Sequence, residues 1–384
     1  MKGKTVFRCT IMRGGTSKGV FLRMKDLPQA PSLRDRVILA IFGSPDLRQI
    51  DGLGGADSLT SKVALIAAPN EPDRDVDYTF GAVGIDKPFV DYSANCGNIS
   101  SAVGPYAIDQ GLVRPEEPFT TVRIFNTNTR KTIRARIPVK KDRVLSTGDY
   151  AIDGVPGTGA KIDLSFLDPG GAATGKLIPT GDVRSEISLD SGEKFIVTIV
   201  DAGNPTAFVC AGDLGLRGTE LPKDFDQDGQ QKMKLEAIRR KVGDVIGIPP
   251  NPSIPKIVFV APSQDFTTTT GREIKRDEVD MVARVMAMGK MHKTFAITAG
   301  IPAAVAAVIP GSVVHGCLED RGGEGISSGV IRRKVAIGHP AGKLEIEVEA
   351  GHEGEQLRIL SCTIGRTARR IMEGRVYIPR EVYE

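Results

Sequence analysis

Short runs of alternating or continuous apolar residues recur along the chain, bounded by Gly, Pro, Asn and Asp. Runs of this length with these boundaries predict β-strands. The predicted strands are Thr5–Met12, Val63–Ala67, Val76–Val83, Thr121–Asn126, Thr132–Val139, Phe195–Asp201, Lys256–Val260 and Lys343–Glu349. Because these strands do not alternate regularly with helices, a doubly wound parallel sheet is not expected. The pattern favours an α+β fold.

Helical spacing of apolar residues is confined to a few segments. Leu33–Phe42 carries an apolar face, with Ser32 as the expected N-cap and Gly43 just after its end. The pattern also predicts a helix over Asp277–Met291 and a shorter one over Leu235–Val242.

Two further segments are apolar on all sides, one in each half of the chain. They are Ile99–Gln110 and Pro302–Ile309, preceded by Asn95–Asn98 and Thr298–Gly300 respectively. A helix that is apolar all round is buried on all sides. The arrangement predicts two similar domains, each a sheet wrapped around one central helix.

The Gly- and Pro-rich stretch from Asp168 to Asp182 is the expected linker. We therefore divide the chain into residues 1–180 and 181–384, and allow the final strand to return to the first domain. The chain has 384 residues, a length that suits more than one domain.

Composition narrows the functional classes. The chain has 51 Lys and Arg against 47 Asp and Glu, interspersed rather than clustered, so nucleic-acid binding is not expected. No apolar run approaches a membrane span, and no secretory leader is recognisable, so we expect a cytoplasmic protein. The five cysteines are scattered and form no CxxC pair, so we expect no disulfides and no metal site.

Cys96 is the first candidate for chemistry, flanked by Asn95, Gly97 and Asn98. A cysteine at the amino end of a helix meets the positive end of the helix dipole and free N–H groups, which stabilise a thiolate. The same N–H groups can hold a carboxylate. The alternative is a buried cysteine that acts only as a small hydrophobic residue.

Three other features are candidates. The loop Arg13–Gly19 offers backbone amides and the hydroxyls of Thr16 and Ser17 to an anion, although it also suits an ordinary tight turn. Lys62 precedes an apolar strand, where burial favours the neutral amine of a general base; an ordinary strand-edge lysine is the alternative. His292 lies shortly before the second apolar helix, and its default role is structural.

Two common motifs are rejected. Gly170–Lys176 fits GxxxxGK, but Leu177 follows where a phosphate-binding loop needs Ser or Thr. Gly15–Gly19 and Gly325–Gly329 fit GxSxG, yet neither is followed by the helix that a nucleophile elbow requires.

Several longer motifs occur together in the order typical of one family. They are Met12–Gly19, Ile50–Gly55, Ser61-Lys62, Asn95–Ser100, His292–Thr294, Ile337–Gly342 and Arg366–Gly374. Through them the whole chain resembles the PrpF family, with the branch that acts on 3-methylitaconate as the most similar. The resemblance implies a diaminopimelate epimerase-like fold: two pseudo-symmetric β-roll domains, each around a central helix, with the site in the cleft between them.

The resemblance also implies an activity. Family members move a C=C bond in a small unsaturated di- or tricarboxylate, such as methylitaconate, methylaconitate, aconitate or oxalomesaconate, without a metal or coenzyme. It implies Lys62 as the acid/base residue and Cys96 as its partner. We expect the substrate carboxylates to be held by Thr16, Ser17, Asn95, Gly97, Asn98, His292, Thr298 and Gly300, and we expect a homodimer.

One departure separates the isomerases from their relatives. Cofactor-independent epimerases of this fold use two cysteines, one at each central helix. Cys96 matches the first, whereas Thr298–Gly300 holds the second place without a thiol. An amino- or hydroxy-acid epimerase is therefore the more distant alternative, and an anion-binding protein without activity is a third. Whether Lys62 or Cys96 returns the proton stays open at this point.

Overall fold

The computed structural model describes residues 5–249, 251, 253–287, 289–318, 325–327, 330–354 and 356–383. The chain folds into two compact units. Unit 1 comprises residues 1–164 and 366–384, and unit 2 comprises residues 165–365.

Unit 1 is built from strands and two long helices. Its strands are β1 (Val6–Gly14), β2 (Ser17–Arg23), β3 (Lys62–Ala67), β4 (Val76–Val83), β5 (Val90–Asp91), β6 (Phe119–Asn126), β7 (Lys131–Lys140), β8 (Arg143–Val144) and, across the unit boundary, β9 (Ile162–Leu167). Its helices are α1 (Pro31–Phe42) and α2 (Gly97–Asp109).

Unit 2 repeats this composition. Its strands are β10 (Ser185–Ser188), β11 (Lys194–Ala202), β12 (Asn204–Cys210), β13 (Lys256–Pro262), β14 (Phe266–Thr267), β15 (Glu273–Ile274), β16 (Met281–Ala287), β17 (Lys290–Met291), β18 (Gly325–Ser327), β19 (Val330–His339), β20 (Gly342–Glu353) and β21 (Gln356–Arg366). Its helices are α3 (Pro222–Phe225), α4 (Gly229–Val245) and α5 (Ile297–Ala307). The last strand, β22 (Ala368–Tyr377), returns to unit 1.

The two units share one pattern of strand pairing. In unit 1 the order is β22-β1-β2-β3-β4-β6-β7, and in unit 2 it is β10-β11-β12-β13-β16-β19-β20. In each unit the successive pairs are antiparallel, antiparallel, parallel, antiparallel, parallel and antiparallel. The units are therefore structural repeats of each other.

A buried helix follows the equivalent strand in each repeat. α2 comes after β4 and β5, and α5 comes after β16 and β17; every residue from Gly97 to Ile108 and from Ile297 to Ala307 is buried. Small side chains let the sheets approach these helices closely. An added methyl group at Gly300, for example, would lie 2.9 Å from the side chains of Leu344 and Ile346 on β20.

The opposite face of each sheet is covered by the other long helix. Val37, Ile38 and Ile41 of α1 share a core with Val63 and Leu65 of β3. In unit 2, Leu235, Ile238 and Val242 of α4 share a core with Ile257 and Phe259 of β13. Alternate residues of β3 and β13 consequently face the buried central helix, because side chains alternate along a strand.

All eight predicted strands are present, but the helix predicted over Asp277–Met291 is wrong. The segment forms a 3₁₀ turn (Arg276–Glu278) and then β16. β16 lies between β13 and β19 and is buried on both faces, so its apolar run lacks the alternation of a half-exposed strand. Met288, which was part of the predicted helical pattern, lies outside the described residues.

Two helix starts also differ from the prediction. Pro31 is the first residue of α1, which makes Ala30 the N-cap and places Ser32 inside the first turn. α5 begins at Ile297 with Ala296 as its N-cap, so Thr298–Gly300 belongs to the helix itself.

The Gly- and Pro-rich stretch taken as a linker packs within unit 2. The amides of Ala173 and Thr174 donate to the Asp201 carboxylate at 2.8 and 2.7 Å, and the Gly171 amide donates to the Asp201 carbonyl at 2.8 Å. The division between units therefore falls after Leu164, not at residue 180. In this GxxxxGK-like loop, the amides of Ala173 and Thr174 thus already bind a carboxylate of the protein itself. None of the described helices is both long and apolar enough to span a membrane.

We predict that Ile99→Ala lowers the free energy of unfolding by about 2–5 kcal/mol, because it leaves a cavity beside α2. Ile99 is completely buried. Urea unfolding measures the change. Ile50→Ala is the matched control, since Ile50 is 70% exposed; an equal loss in both variants would contradict the central position of α2.

Candidate active site

Three predicted site residues of unit 1 meet in one buried cluster. The Nζ atom of Lys62 lies 3.0 Å from Ser17 Oγ and 3.2 Å from Cys96 Sγ. Lys62 and Cys96 are only 9% and 7% exposed, and Ser17 is almost fully buried. A lysine rarely occupies such a place unless its amine is hydrogen-bonded. We call Ser17, Lys62 and Cys96 the Lys62 cluster.

The position of Lys62 in the sheet directs its side chain towards the start of α2. Lys62 is the first residue of β3, and its neighbour Val63 packs on the other face against the α1 core. Lys62 therefore faces α2, with the Phe80 ring 6.0 Å from its amine. Gly19 of the neighbouring strand makes this approach feasible, because a Cβ there would lie 2.9 Å from the Lys62 carbonyl oxygen.

Cys96 is the N-cap of α2, as the sequence predicts. Its carbonyl accepts hydrogen bonds from the Ser100 amide and hydroxyl, each at 3.0 Å. The amides of the first helical turn have no acceptor within the helix, and the dipole places positive potential there. The thiol and the amides of Gly97 and Asn98 thus lie at an end of the helix that favours negative charge.

The hairpin between β1 and β2 delivers Ser17 to the cluster. Gly15 has a positive φ of 50°, and a side chain at Gly14 or Gly15 would collide with Asn98. The Thr16 amide donates to Asn98 Oδ1 at 3.4 Å. On its other side the Gly15 amide donates to the Thr367 carbonyl at 3.0 Å. The turn is therefore fixed against the first residues of α2.

Asn95 is held by a buried amide network that sequence reasoning missed. Asn126 Nδ2 donates to Asn95 Oδ1 at 3.3 Å and to Asn128 Oδ1 at 3.2 Å. Asn128 in turn bonds the backbone of Phe80 and Tyr92. The network joins β4, β6 and the segment that leads into α2.

Gln49 is a second residue that sequence reasoning missed. It is 2% exposed, and its Nε2 donates to Ser61 Oγ at 2.8 Å and to Ser44 Oγ at 2.9 Å. Its Oε1 accepts from the Ala56 amide at 2.8 Å, so it also organises the glycine-rich loop before β3. Ser61 directly precedes Lys62. Only the run of closely spaced glycines in that loop hinted at a tightly packed turn.

Three of the predicted site residues, His292, Thr298 and Gly300, belong to unit 2. Thr298 is the second residue of α5 and is buried, whereas the Gly300 amide donates to the Ala296 carbonyl at 2.9 Å. That bond occupies the amide expected to hold a carboxylate, and the close contact with β20 accounts for the glycine. His292 Nδ1 accepts from the Thr294 amide at 3.1 Å.

The strand register identifies the counterparts of the Lys62 cluster in unit 2. Lys256 begins β13 as Lys62 begins β3, and Asn204 begins β12 as Ser17 begins β2. Ala296 takes the N-cap place of Cys96. Asn204 Nδ2 is buried and has no hydrogen-bond partner among the described residues. The repeat has kept the lysine but has no thiol at the helix start.

Cys9, Cys317 and Cys362 fit the role of small buried hydrophobic residues, whereas Cys210 is partly exposed. Burial raises the pKa of the Cys9 and Cys362 thiols, and it raises the pKa of Cys317 to about 12. Burial, together with the neighbouring Cys96, also raises the pKa of Tyr78 well above its usual value. In the described ranges, no three His, Cys, Asp or Glu side chains converge in a way that could hold a metal ion.

Comparison with known proteins identifies the family. The PrpF protein family model matches residues 4–379. The chain belongs to the PrpF family. It is 46% identical to the 3-methylitaconate isomerase of Eubacterium barkeri, with 97% of each chain covered. It is 39% identical to the 2-methyl-aconitate isomerase of Shewanella oneidensis, over 97% of this chain and 96% of that one.

A further relative and two solved structures agree with this family and its fold. The 4-oxalomesaconate tautomerase of Pseudomonas putida is 40% identical, with 99% of this chain and 98% of that one covered. A crystal structure of methylitaconate-delta-isomerase matches with a TM-score of 0.78 at 45% identity, covering 99% and 97%. A hydroxyproline epimerase from Agrobacterium vitis matches at 12% identity with a TM-score of 0.57, covering 98% and 94%, which shows the fold alone. The predicted PrpF membership and epimerase-like fold are confirmed.

We predict that Gln49→Met lowers the free energy of unfolding by about 1–3 kcal/mol, because it leaves the Ala56 amide without its buried acceptor. Urea unfolding measures the loss. Gln230→Met, at an exposed glutamine of α4, is the matched control. Equal stability of the two variants would show that the Gln49 network does not hold the loop.

Proposed function

We propose that this chain catalyses a 1,3-allylic proton shift that moves the C=C bond of a small unsaturated di- or tricarboxylate. Its identified relatives are isomerases, which confirms the enzyme class predicted from the sequence. 3-Methylitaconate is the first substrate to test because the relative with the highest identity above bears that name. 2-Methylaconitate and 4-oxalomesaconate are the alternatives.

The observation that carries the proposal is the hydrogen bond between Lys62 Nζ and Cys96 Sγ. An amine and a thiol in contact share one transferable proton, so one can act as base while the other acts as acid. Proton transfer by positioned groups of this kind accelerates reactions by about 10²–10⁴-fold.

The reaction proceeds in two proton transfers. The neutral Lys62 amine takes the allylic proton, and the electron pair of that C–H bond delocalises into a dienolate. The Cys96 thiol then protonates the far carbon of the allyl unit, which leaves an ammonium and a thiolate. After the Lys62 ammonium has exchanged its protons with solvent, transfer of one proton from Lys62 to Cys96 along their hydrogen bond restores the starting state.

The positive end of α2 supports the anionic intermediate. Fixed N–H donors aimed at developing negative charge are a large source of catalytic power. The amides of Gly97 and Asn98 and the Ser17 hydroxyl are the proposed donors of unit 1, with Thr16 and Asn95 beside them. Thr298 and His292 of unit 2 stay proposed substrate contacts, and a homodimer stays a prediction for sedimentation analysis.

Ala296 argues against the epimerase alternative. An epimerase with two thiols needs an acid/base group at both central helices, and unit 2 offers an alanine at the N-cap of α5. The fold neighbours among epimerases are too dissimilar in sequence to carry an activity over to this chain.

The first test is proton NMR of the wild-type enzyme in D2O with 3-methylitaconate, 2-methylaconitate, the aconitates and oxalomesaconate in turn. We expect a shifted alkene in at least one acid, with deuterium at the new C–H position. If every acid remains unchanged and unlabelled, the proposed reaction is wrong for this panel. Inversion of a stereocentre without alkene movement would favour the epimerase.

We predict that Lys62→Met lowers kcat by at least about 10²-fold, because it removes the base. Lys140→Met, at an exposed lysine of β7, is the matched control and should keep normal turnover. Circular dichroism checks that both variants fold. Near-normal turnover by a folded Lys62→Met enzyme would remove Lys62 as the base.

We predict that Cys96→Ser also lowers kcat, because an alcohol is a much weaker acid than a thiol. The proportion of substrate proton kept in the product distinguishes delivery of the proton by Cys96 from delivery by Lys62. Wild-type enzyme should show full exchange with solvent if Cys96 delivers the proton. Retained substrate proton, together with normal turnover by Cys96→Ser, would assign both transfers to Lys62.

A further inference from the structure

Unit 1 contains a polar cleft at the opposite end of α2 from the Lys62 cluster. Its volume is about 90 Å³, and β1, β2, the 3₁₀ turn at Met24–Asp26, β22 and the last turn of α2 line it. With 13 residues in α2 and a rise of about 1.5 Å per residue, Cys96 lies about 20 Å away along the helix. We call this space the Tyr106 cleft.

Tyr106 is a buried residue that lines the Tyr106 cleft. The side chain is 3% exposed, and its ring packs against Phe21 with 5.3 Å between centroids. Among the described residues nothing hydrogen-bonds the Tyr106 hydroxyl, although the residue lines the cleft. Burial raises the pKa of Tyr106 to about 12, so the phenol keeps its proton and can donate it. A buried hydroxyl in this position is expected to meet a ligand or water.

Three cationic side chains share the cleft with this hydroxyl. Arg8, Arg23 and Lys25 line the cleft, and in the part of the chain that the structure describes none of them forms an ion pair with a carboxylate. Arg8 also lies directly opposite Arg375 in the β1–β22 pairing. Like charges that face each other across strands are unfavourable unless an anion offsets them.

The negative groups of the cleft are weaker than these cations. Glu373 lines it but is paired with Arg370 at 3.4 Å, and Asp26 contributes one further carboxylate. The carboxyl end of α2 adds roughly half a negative charge. Arg370 is shared between Glu373 and Asp109, which lies 3.6 Å from it. Even without Arg370, the three charges of Arg8, Arg23 and Lys25 exceed those of Asp26, Glu373 and the helix end.

We propose that the Tyr106 cleft binds a small oxyanion of the phosphate class, held by Arg8, Arg23, Lys25 and the Tyr106 hydroxyl. Its volume of about 90 Å³ is several times the roughly 10–15 Å³ that one water molecule needs, so a tetrahedral oxyanion fits. The cleft lies at the opposite end of α2 from the Lys62 cluster and shares no residue with it. The inference is therefore independent of the proposed isomerase reaction.

The test uses the full-length enzyme labelled with 3-fluorotyrosine and ¹⁹F NMR. The chain has six tyrosines, so few signals arise, and Tyr106→Phe and Tyr78→Phe assign the two that matter. Inorganic phosphate should shift the Tyr106 signal with saturation and leave the Tyr78 signal beside Cys96 in place. A parallel titration with methyl phosphate distinguishes the free ion from a terminal phosphate ester.

Variants of the cations complete the test. Arg23→Gln should weaken phosphate binding by at least about tenfold, as loss of one charged hydrogen-bond donor implies. If Arg23→Gln does not fold, Arg8→Gln, at an exposed position, takes its place in the titration. The control is Arg143→Gln, at an exposed arginine outside the cleft. Thermal unfolding of unlabelled protein should show the same order of phosphate stabilisation.

Three results would overturn the proposal. The first is no saturable shift of the Tyr106 signal with either phosphate. The second is an equal shift with sodium chloride at matched ionic strength, which would indicate screening only. The third is a shift of Tyr78 without one of Tyr106, which would place the anion at the Lys62 cluster instead.

Discussion

The burial of the Lys62 amine against a helix start is the constraint on which unit 1 depends. An amine removed from water is costly unless hydrogen bonds compensate it. Ser17 and Cys96 supply those bonds, and each comes from a different element. The hairpin before β2, the loop before β3 and the turn before α2 must therefore all be held in fixed positions. The glycines at the hairpin and the Gln49 network meet that requirement by close packing rather than by local propensity.

The repeat shows which part of this arrangement belongs to the fold and which to the chemistry. Both units keep the strand order, the buried helix and a lysine at the start of the equivalent strand. Unit 2 places Asn204 and Ala296 where unit 1 has Ser17 and Cys96. Because the same scaffold supports both sets, the fold does not require the thiol. The presence of Cys96 at only one of two equivalent helix starts fits the chemical role proposed for it.

The sequence predicted what depends on local pattern. The strands, the two all-apolar helices and the positions of Lys62 and Cys96 at element boundaries follow from periodicity and from the residues that begin helices. Gln49 and Asn126 could not be predicted, since their partners are brought together only by the tertiary fold. β16 was mistaken for a helix because a strand buried on both faces has no polar side to reveal its period. The helix start at Ile297 was missed because Ala296 carries no capping side chain.

The geometry of the Lys62 cluster also bears on the type of proton transfer. Inversion of a stereocentre requires one group to remove a proton and another to deliver one from the opposite face of the same carbon. Two groups in mutual contact cannot occupy opposite faces of a substrate, and Lys62 and Cys96 are 3.2 Å apart. In the proposed reaction they act on one face, at two carbons of an allyl unit. A hydrogen-bonded amine and thiol are thus better suited to the proposed movement of a double bond than to inversion of a stereocentre.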